Sequence, residues 1–146
     1  MKSKLLHENG ERTFVLVFEK GDEAMAELQS FARAHGLTAA RFTAIGAFSD
    51  AKLGYFDRER KEFEEIDVGE QVEVLSLLGD VAVEDGKPRV HAHVVLGRSD
   101  GSALGGHLLE AHVWPTLEVV LDESPAHLRK RSDPETGLAL IDPDLY

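Results

Sequence analysis

Short alternating runs of apolar and polar residues, broken by glycine and charge, dominate this chain. Thr13-Phe14-Val15-Leu16-Val17-Phe18-Glu19 is β-branched and aromatic and predicts a strand. Lys20-Gly21 breaks it, Asp22 is a good N-cap and Glu23 suits a first helical turn. Ala24, Leu28, Phe31 and His35 then follow at helical spacing, and Gly36 stands where a C′ glycine stops a helix, so a helix is predicted over 23–35. From there the period returns to two. Strands are predicted over 38–47, 50–57, 63–68, 72–83, 89–97 and 113–121. Gly46 suggests a bulge or a close backbone approach, Gly79 a bend, and Pro115 a strand start at an edge or bulge. Glu84-Asp85-Gly86-Lys87-Pro88 is a hairpin turn. The tail carries a turn at Asp133-Pro134-Glu135-Thr136-Gly137 and a short extended segment at Leu138–Ile141. The class is α+β, a mostly antiparallel twisted sheet with one main helix and short helical pieces.

Length and composition narrow the picture without naming a function. The 146 residues make one domain, residues 1–146, with 122–146 a tail packed on the domain or on a neighbouring subunit. No apolar run reaches the length of a membrane helix, and Met1-Lys2-Ser3-Lys4 leads into charges rather than a signal-type apolar stretch. A cytoplasmic protein is expected. The net charge of −11, from 27 acidic and 16 basic residues, argues against direct binding to a nucleic-acid backbone.

The candidate chemistry is histidine. Cysteine is absent, so a metal site here must use His, Asp or Glu. Four of the seven histidines (His91, His93, His107 and His112) fall within one short stretch. His91 and His93 are two residues apart in an apolar strand and therefore point to one face, about 7 Å apart, where two imidazoles can converge on one ion. Gly105-Gly106 is expected to be a flexible or positive-φ connection that delivers His107 to them. The alternative is a pair of strand histidines hydrogen-bonded to carboxylates on a polar face. His112 is a weaker ligand candidate, and Glu118 or Glu110 could act as a base or orient a ligand. Arg41 reads as a solvated charge or an anion contact, and Trp114 as packing or a stacking platform. Gly105-Gly106 lacks the spacing of a phosphate-binding loop.

Several segments together resemble the plants and prokaryotes conserved (PPC) domain family. They are the helix Glu23–His35, Ala39-Ala40-Arg41-Phe42-Thr43-Ala44-Ile45-Gly46-Ala47, Glu73–Gly79, His91-Ala92-His93, Gly105-Gly106-His107-Leu108, Val113–Glu118 and Asp133–Leu138. The resemblance covers about residues 10–140. It implies an antiparallel sheet packed with helices and a homotrimer. It also implies, as in some prokaryotic members, zinc held by His91, His93 and His107; a metal-binding homotrimer serving small-molecule binding at the metal, sensing or assembly is the first reading. Plant relatives bind DNA through segments built on Arg-Gly-Arg-Pro, which these 146 residues lack, so a DNA-associated role follows by analogy alone. A metal-dependent hydrolase or lyase is the third reading, since a three-histidine zinc supports such chemistry.

Overall fold

The computed structural model describes residues 1–145. Its strands, in chain order, are β1 (Lys2–Glu8), β2 (Arg12–Phe18), β3 (Ala39–Asp57), β4 (Glu62–Val68), β5 (Val72–Glu84), β6 (Lys87–Gly97), β7 (Ala103–Glu123), β8 (Lys130–Ser132) and β9 (Ala139–Ile141), and its helix is α1 (Ala24–Ala34). The large sheet runs β1-β2-β7-β6-β5-β3-β4, all neighbours antiparallel. An additional β7–β3 pairing closes β3, β5, β6 and β7 into a ring, while β8 and β9 form a separate two-stranded hairpin.

The long strands differ from the expected short ones for a physical reason. Residues 38–47 and 50–57 are one strand, β3, and the segment from Ala103 through Val113–Leu121 is one strand, β7. Each changes partner along its length. The first half of β3 lies between β5 and β7, the second half between β7 and β4. Register shifts next to Gly46 and between Phe48 and Asp50 supply the bend. Gly46 has φ +153, and a Cβ there would stand 2.2 Å from the Thr116 carbonyl oxygen, so the close approach excludes a side chain. Gly79 carries no bulge. It stays in register with Phe42 and Ala92, and its missing Cβ admits the Phe42 ring. The β5–β6 turn is two residues, Asp85 and Gly86, both with positive φ, as a tight hairpin requires. β1 was absent from the expected elements. It pairs with β2 as an edge strand and buries little, which is why its sequence carries no strong pattern.

α1 is the only helix among the described residues, so the expected short helical pieces do not occur there. Its N-cap is Glu23, not Asp22. The Glu23 carboxylate accepts from the N–H groups of Met25 and Ala111, tying the helix start to β7. Asp22 instead pairs with the N-terminal ammonium at 2.6 Å. Leu28, Phe31 and Ala32 face the sheet, and Gln29 donates to the Pro88 carbonyl at 2.8 Å, fixing the helix beside β6. At the other end, Arg12 joins Glu123 and donates to the His35 carbonyl at 3.0 Å.

Phe18, Phe42, Phe48, Leu53, Leu96 and Leu108 are fully buried in one continuous core. Each such side chain contributes about 1.5–3 kcal/mol of burial. Directly opposed strand residues share a face, and one row of partners crosses the outer side of the sheet: Val15, Val120, Thr43, Leu78, His93, His107. Within that row Val120 and Leu78 are 45% and 58% exposed, so the apolar face runs up to the histidines uncovered.

Candidate metal centre

β6 and β7 place the three histidines. His93 and His107 are directly opposed across the ladder, and His91 precedes His93 by two residues on the same face. Gly105 and Gly106 do not form a positive-φ turn, contrary to expectation. They are ladder residues of β7 paired with Val95 and Val94. Their role is close approach, since a Cβ on Gly105 would lie 2.7 Å from the Val94 oxygen and one on Gly106 2.9 Å from the Gly54 oxygen.

One ring nitrogen from each of His91, His93 and His107 lies within 4.8 Å of the other two. The ring centroids are 5.0, 5.0 and 5.4 Å apart. A tetrahedral zinc site with bonds of about 2.0–2.1 Å needs nitrogens about 3.4 Å apart, so modest side-chain rotation suffices. The donor set also fits: three imidazoles with no thiolate or carboxylate among them suit zinc and similar divalent ions.

The surroundings favour neutral rings. Burial, reinforced by the neighbouring His91, His93 and Lys130, pushes His107 down to about 4. His93 is lowered by burial and by His91. Neutral imidazole is the form that ligates. Across the β5–β6 ladder, Asp80 stands opposite His91, with its Oδ2 3.3 Å from Nδ1. That contact assigns Nδ1 to Asp80 and leaves Nε2 for an ion, the usual carboxylate–histidine arrangement behind a metal. Burial raises the Asp80 carboxyl, but His91 and the Lys130 ammonium outweigh it and hold it below the ordinary value. Lys130 Nζ lies 3.7 Å from Asp80 Oδ1, an ion pair rather than a hydrogen bond, and Oδ1 has no hydrogen-bond partner among the described residues.

A ring from β4 completes the wall. Phe63 lies 4.7 Å from the His107 ring and covers Gly54, whose absent Cβ would stand 2.8 Å from Phe63 Cδ1. The other candidates fall elsewhere. His112 pairs through Nδ1 with Asp50 at 2.7 Å. Glu110 lies 3.9 Å from His112 Nε2, and Glu118 is an exposed residue opposite Ile45 and Val17. Arg41 is 82% exposed and 3.9 Å from Asp122, a solvated charge. Trp114 is exposed, with the Lys20 ammonium 4.6 Å from its ring. Asp80, Lys130 and Phe63 were missed by sequence reasoning.

Comparison with known proteins follows the same lines. The family model described as Plants and Prokaryotes Conserved (PCC) domain matches residues 6–125. A plant- and prokaryote-conserved protein of Pyrococcus horikoshii shares 35% identity over 90% of this chain and 91% of its own, with a TM-score of 0.84. A metal-containing protein of Archaeoglobus fulgidus shares 36% identity over 97% of this chain and 99% of its own, at a TM-score of 0.81. A protein of Ralstonia eutropha described as a "putative DNA-binding protein" shares 30% identity over 88% of this chain and 90% of its own, at 0.82. No curated protein matches the chain. No helix is long and apolar enough to cross a membrane.

Proposed function

The chain belongs to the Plants and Prokaryotes Conserved domain family, and from that premise we propose that it is a cytoplasmic, homotrimeric metal-binding protein. His91, His93 and His107 hold one zinc ion per chain. The observation that carries this reading is the convergence of three imidazoles, two of them (His93 and His107) held toward the neutral form by burial and the third, His91, backed by Asp80. The likeness to a metal-containing protein of Archaeoglobus fulgidus supports it. The test is metal content by plasma mass spectrometry on untagged protein beside His91→Ala. About one zinc per chain, lost in the variant, is expected, together with a thermal upshift on adding zinc, since an ion bound only by the folded chain stabilises it. No metal in either protein would leave the histidines as polar surface residues.

The trimer is supported by the uncovered apolar row. Leu78 and Val120 are joined by Ile45 at 63% and Val95 at 44% exposure, and clustered exposed apolar side chains of this kind mark interaction surfaces. Sedimentation should give three times the chain mass, and Leu78→Asp should lower it. A monomeric wild-type chain would end this part of the proposal.

A DNA-associated role has less support. The Ralstonia eutropha protein is described in those terms, but a chain of net charge −11 would reach DNA through partner proteins rather than through phosphates. Duplex binding at about 50 mM salt, where such contacts are strongest, would reverse this ranking. For a hydrolase or lyase, the described residues offer no free carboxylate in the cluster, because Asp80 is committed to His91 and Lys130.

A further inference from the structure

The histidines form one end of a cavity of about 630 Å³ whose other walls come from different parts of the chain. Tyr55 of β3, Phe63 of β4, and Leu138 and Leu140 of the C-terminal hairpin line it as well. The volume lies within the usual range for small-molecule sites, about 300–1,000 Å³. Lys130 also lines it, at the histidine end, with its side chain only 8% exposed. Arg89 reaches the cavity too, but its guanidinium is 2.9 Å from Glu84 and is already paired.

The charges around this cavity do not balance once an ion is held. Arg89 and Glu84 offset each other, as do Lys130 and Asp80. The three imidazoles are neutral ligands and bring no negative charge. A divalent ion would therefore leave two uncompensated positive charges beside apolar walls, in a chain whose surface is otherwise strongly acidic. Such a site selects an anion. The apolar lining, Tyr55, Phe63, Leu138 and Leu140, selects an apolar body attached to it. Among the described lining residues only Lys130, together with the ion, can meet an anion's oxygens, since Arg89 is already paired, and two such contacts suit the two oxygens of a carboxylate better than the three of a phosphoryl group.

We propose that the cavity binds a small organic monocarboxylate with an aryl or branched alkyl body. The carboxylate lies at the histidine end beside Lys130, and the body lies between Phe63 and Leu140. This rests on the metal-site reading above, so metal content is measured first on every sample. Hydrocinnamate is then titrated calorimetrically into the zinc-loaded full chain, beside its neutral amide and beside acetate. Hydrocinnamate should bind about tenfold or more tighter than either, because the amide lacks the charge and acetate lacks the body. Stripping the zinc should abolish the difference between acid and amide. Lys130→Met should weaken the acid about fivefold or more with zinc retained, and Leu140→Asp, on the exposed hairpin, should do the same by repulsion and lost apolar contact. A chain that holds no zinc overturns the metal reading and this inference together. One zinc per chain with acid and amide binding alike, or with no hydrocinnamate binding, overturns this inference alone.

Discussion

His107 and His112 stand five residues apart on the same strand and live in opposite chemical settings. His107 faces two other imidazoles and a phenyl ring, with Lys130 nearby, and is pushed down to about 4. His112 hydrogen-bonds Asp50 and is raised by it. Burial and positive neighbours disfavour the proton at the first, and a carboxylate favours it at the second. The contrast separates a histidine that favours the neutral, ligating form from one held in a surface ion pair, in line with the weaker candidacy of His112 on sequence. It arises because the pairing with β6 ends at His107: there β7 lies between β3 and β6 with the other histidines, and by His112 only β3 of these two strands remains, with Asp50 opposite.

The largest expected effect follows from that separation. His107→Ala should drop zinc from about one per chain to background, and His112→Ala should leave it unchanged. Metal analysis of the two variants decides this, and loss in both would mean that the two histidines share one site. Next in size is Asp80→Asn. Amide in place of carboxylate keeps the shape but weakens the hold on His91 Nδ1, and such partners are worth about 10–100-fold in metal affinity. Competition against a zinc chelator measures it, and an unchanged affinity would make Asp80 a partner of Lys130 only.

How much of this was legible in the chain depended on the range of the interactions. α1 showed in the spacing of Ala24, Leu28 and Phe31, which is local. His91 and His93 could be set on one face by strand period alone. Asp80 was also within reach. A two-residue turn at Asp85-Gly86 pairs 84 with 87 and, counting outward, 80 with 91, but reading the turn as five residues hid that register. Phe63 and Lys130 were not legible in the same way. They reach the histidines only because β3 pairs with β7 and carries β4 alongside, and because the tail returns over β5 through Val83 and Leu128. Nothing in the local pattern around Phe63 or Lys130 encodes those closures. The Gly105-Gly106 pair was seen but given the wrong reason, because close backbone approach and positive φ leave the same letter in the sequence.

Gly54→Ala probes the closure with a smaller effect. The added methyl would sit 2.8 Å from Phe63 Cδ1, and the ring must move away from His107. Overpacking of this kind costs about 1–3 kcal/mol, and here the lower end is expected because Phe63 is only part-buried. Denaturant unfolding of the metal-free protein reads the cost. Zinc affinity should fall by less than in Asp80→Asn, and a larger fall would make the Phe63 ring, rather than the carboxylate, the main support of the site.

The smallest effect is the pH dependence of stability in the metal-free chain, and the two histidines of β7 contribute with opposite signs. His107 has a lowered pKa, so the unfolded chain takes up its proton first. Its presence is neutral above its ordinary 6.5, destabilises progressively as pH falls, and levels off below about 4. His112 has a raised pKa and Asp50 a lowered one. The His112 contribution is fully present below 6.5 and is lost as pH rises through its higher folded value. The Asp50 contribution is present above 3.8 and is lost as pH falls through its lower folded value. The pair is therefore strongest between those limits, the same window in which His107 weakens the fold. Both side chains of the pair are more than a third exposed, so water screening keeps their contribution to about 0.2–1 kcal/mol. His107→Gln should consequently flatten the decline in melting temperature between pH 6.5 and about 4, and His112→Gln should lower the melting temperature evenly across that window without changing its slope. If His107→Gln leaves the profile unchanged, its ring is not held against protonation, and the contrast between the two histidines loses its electrostatic half.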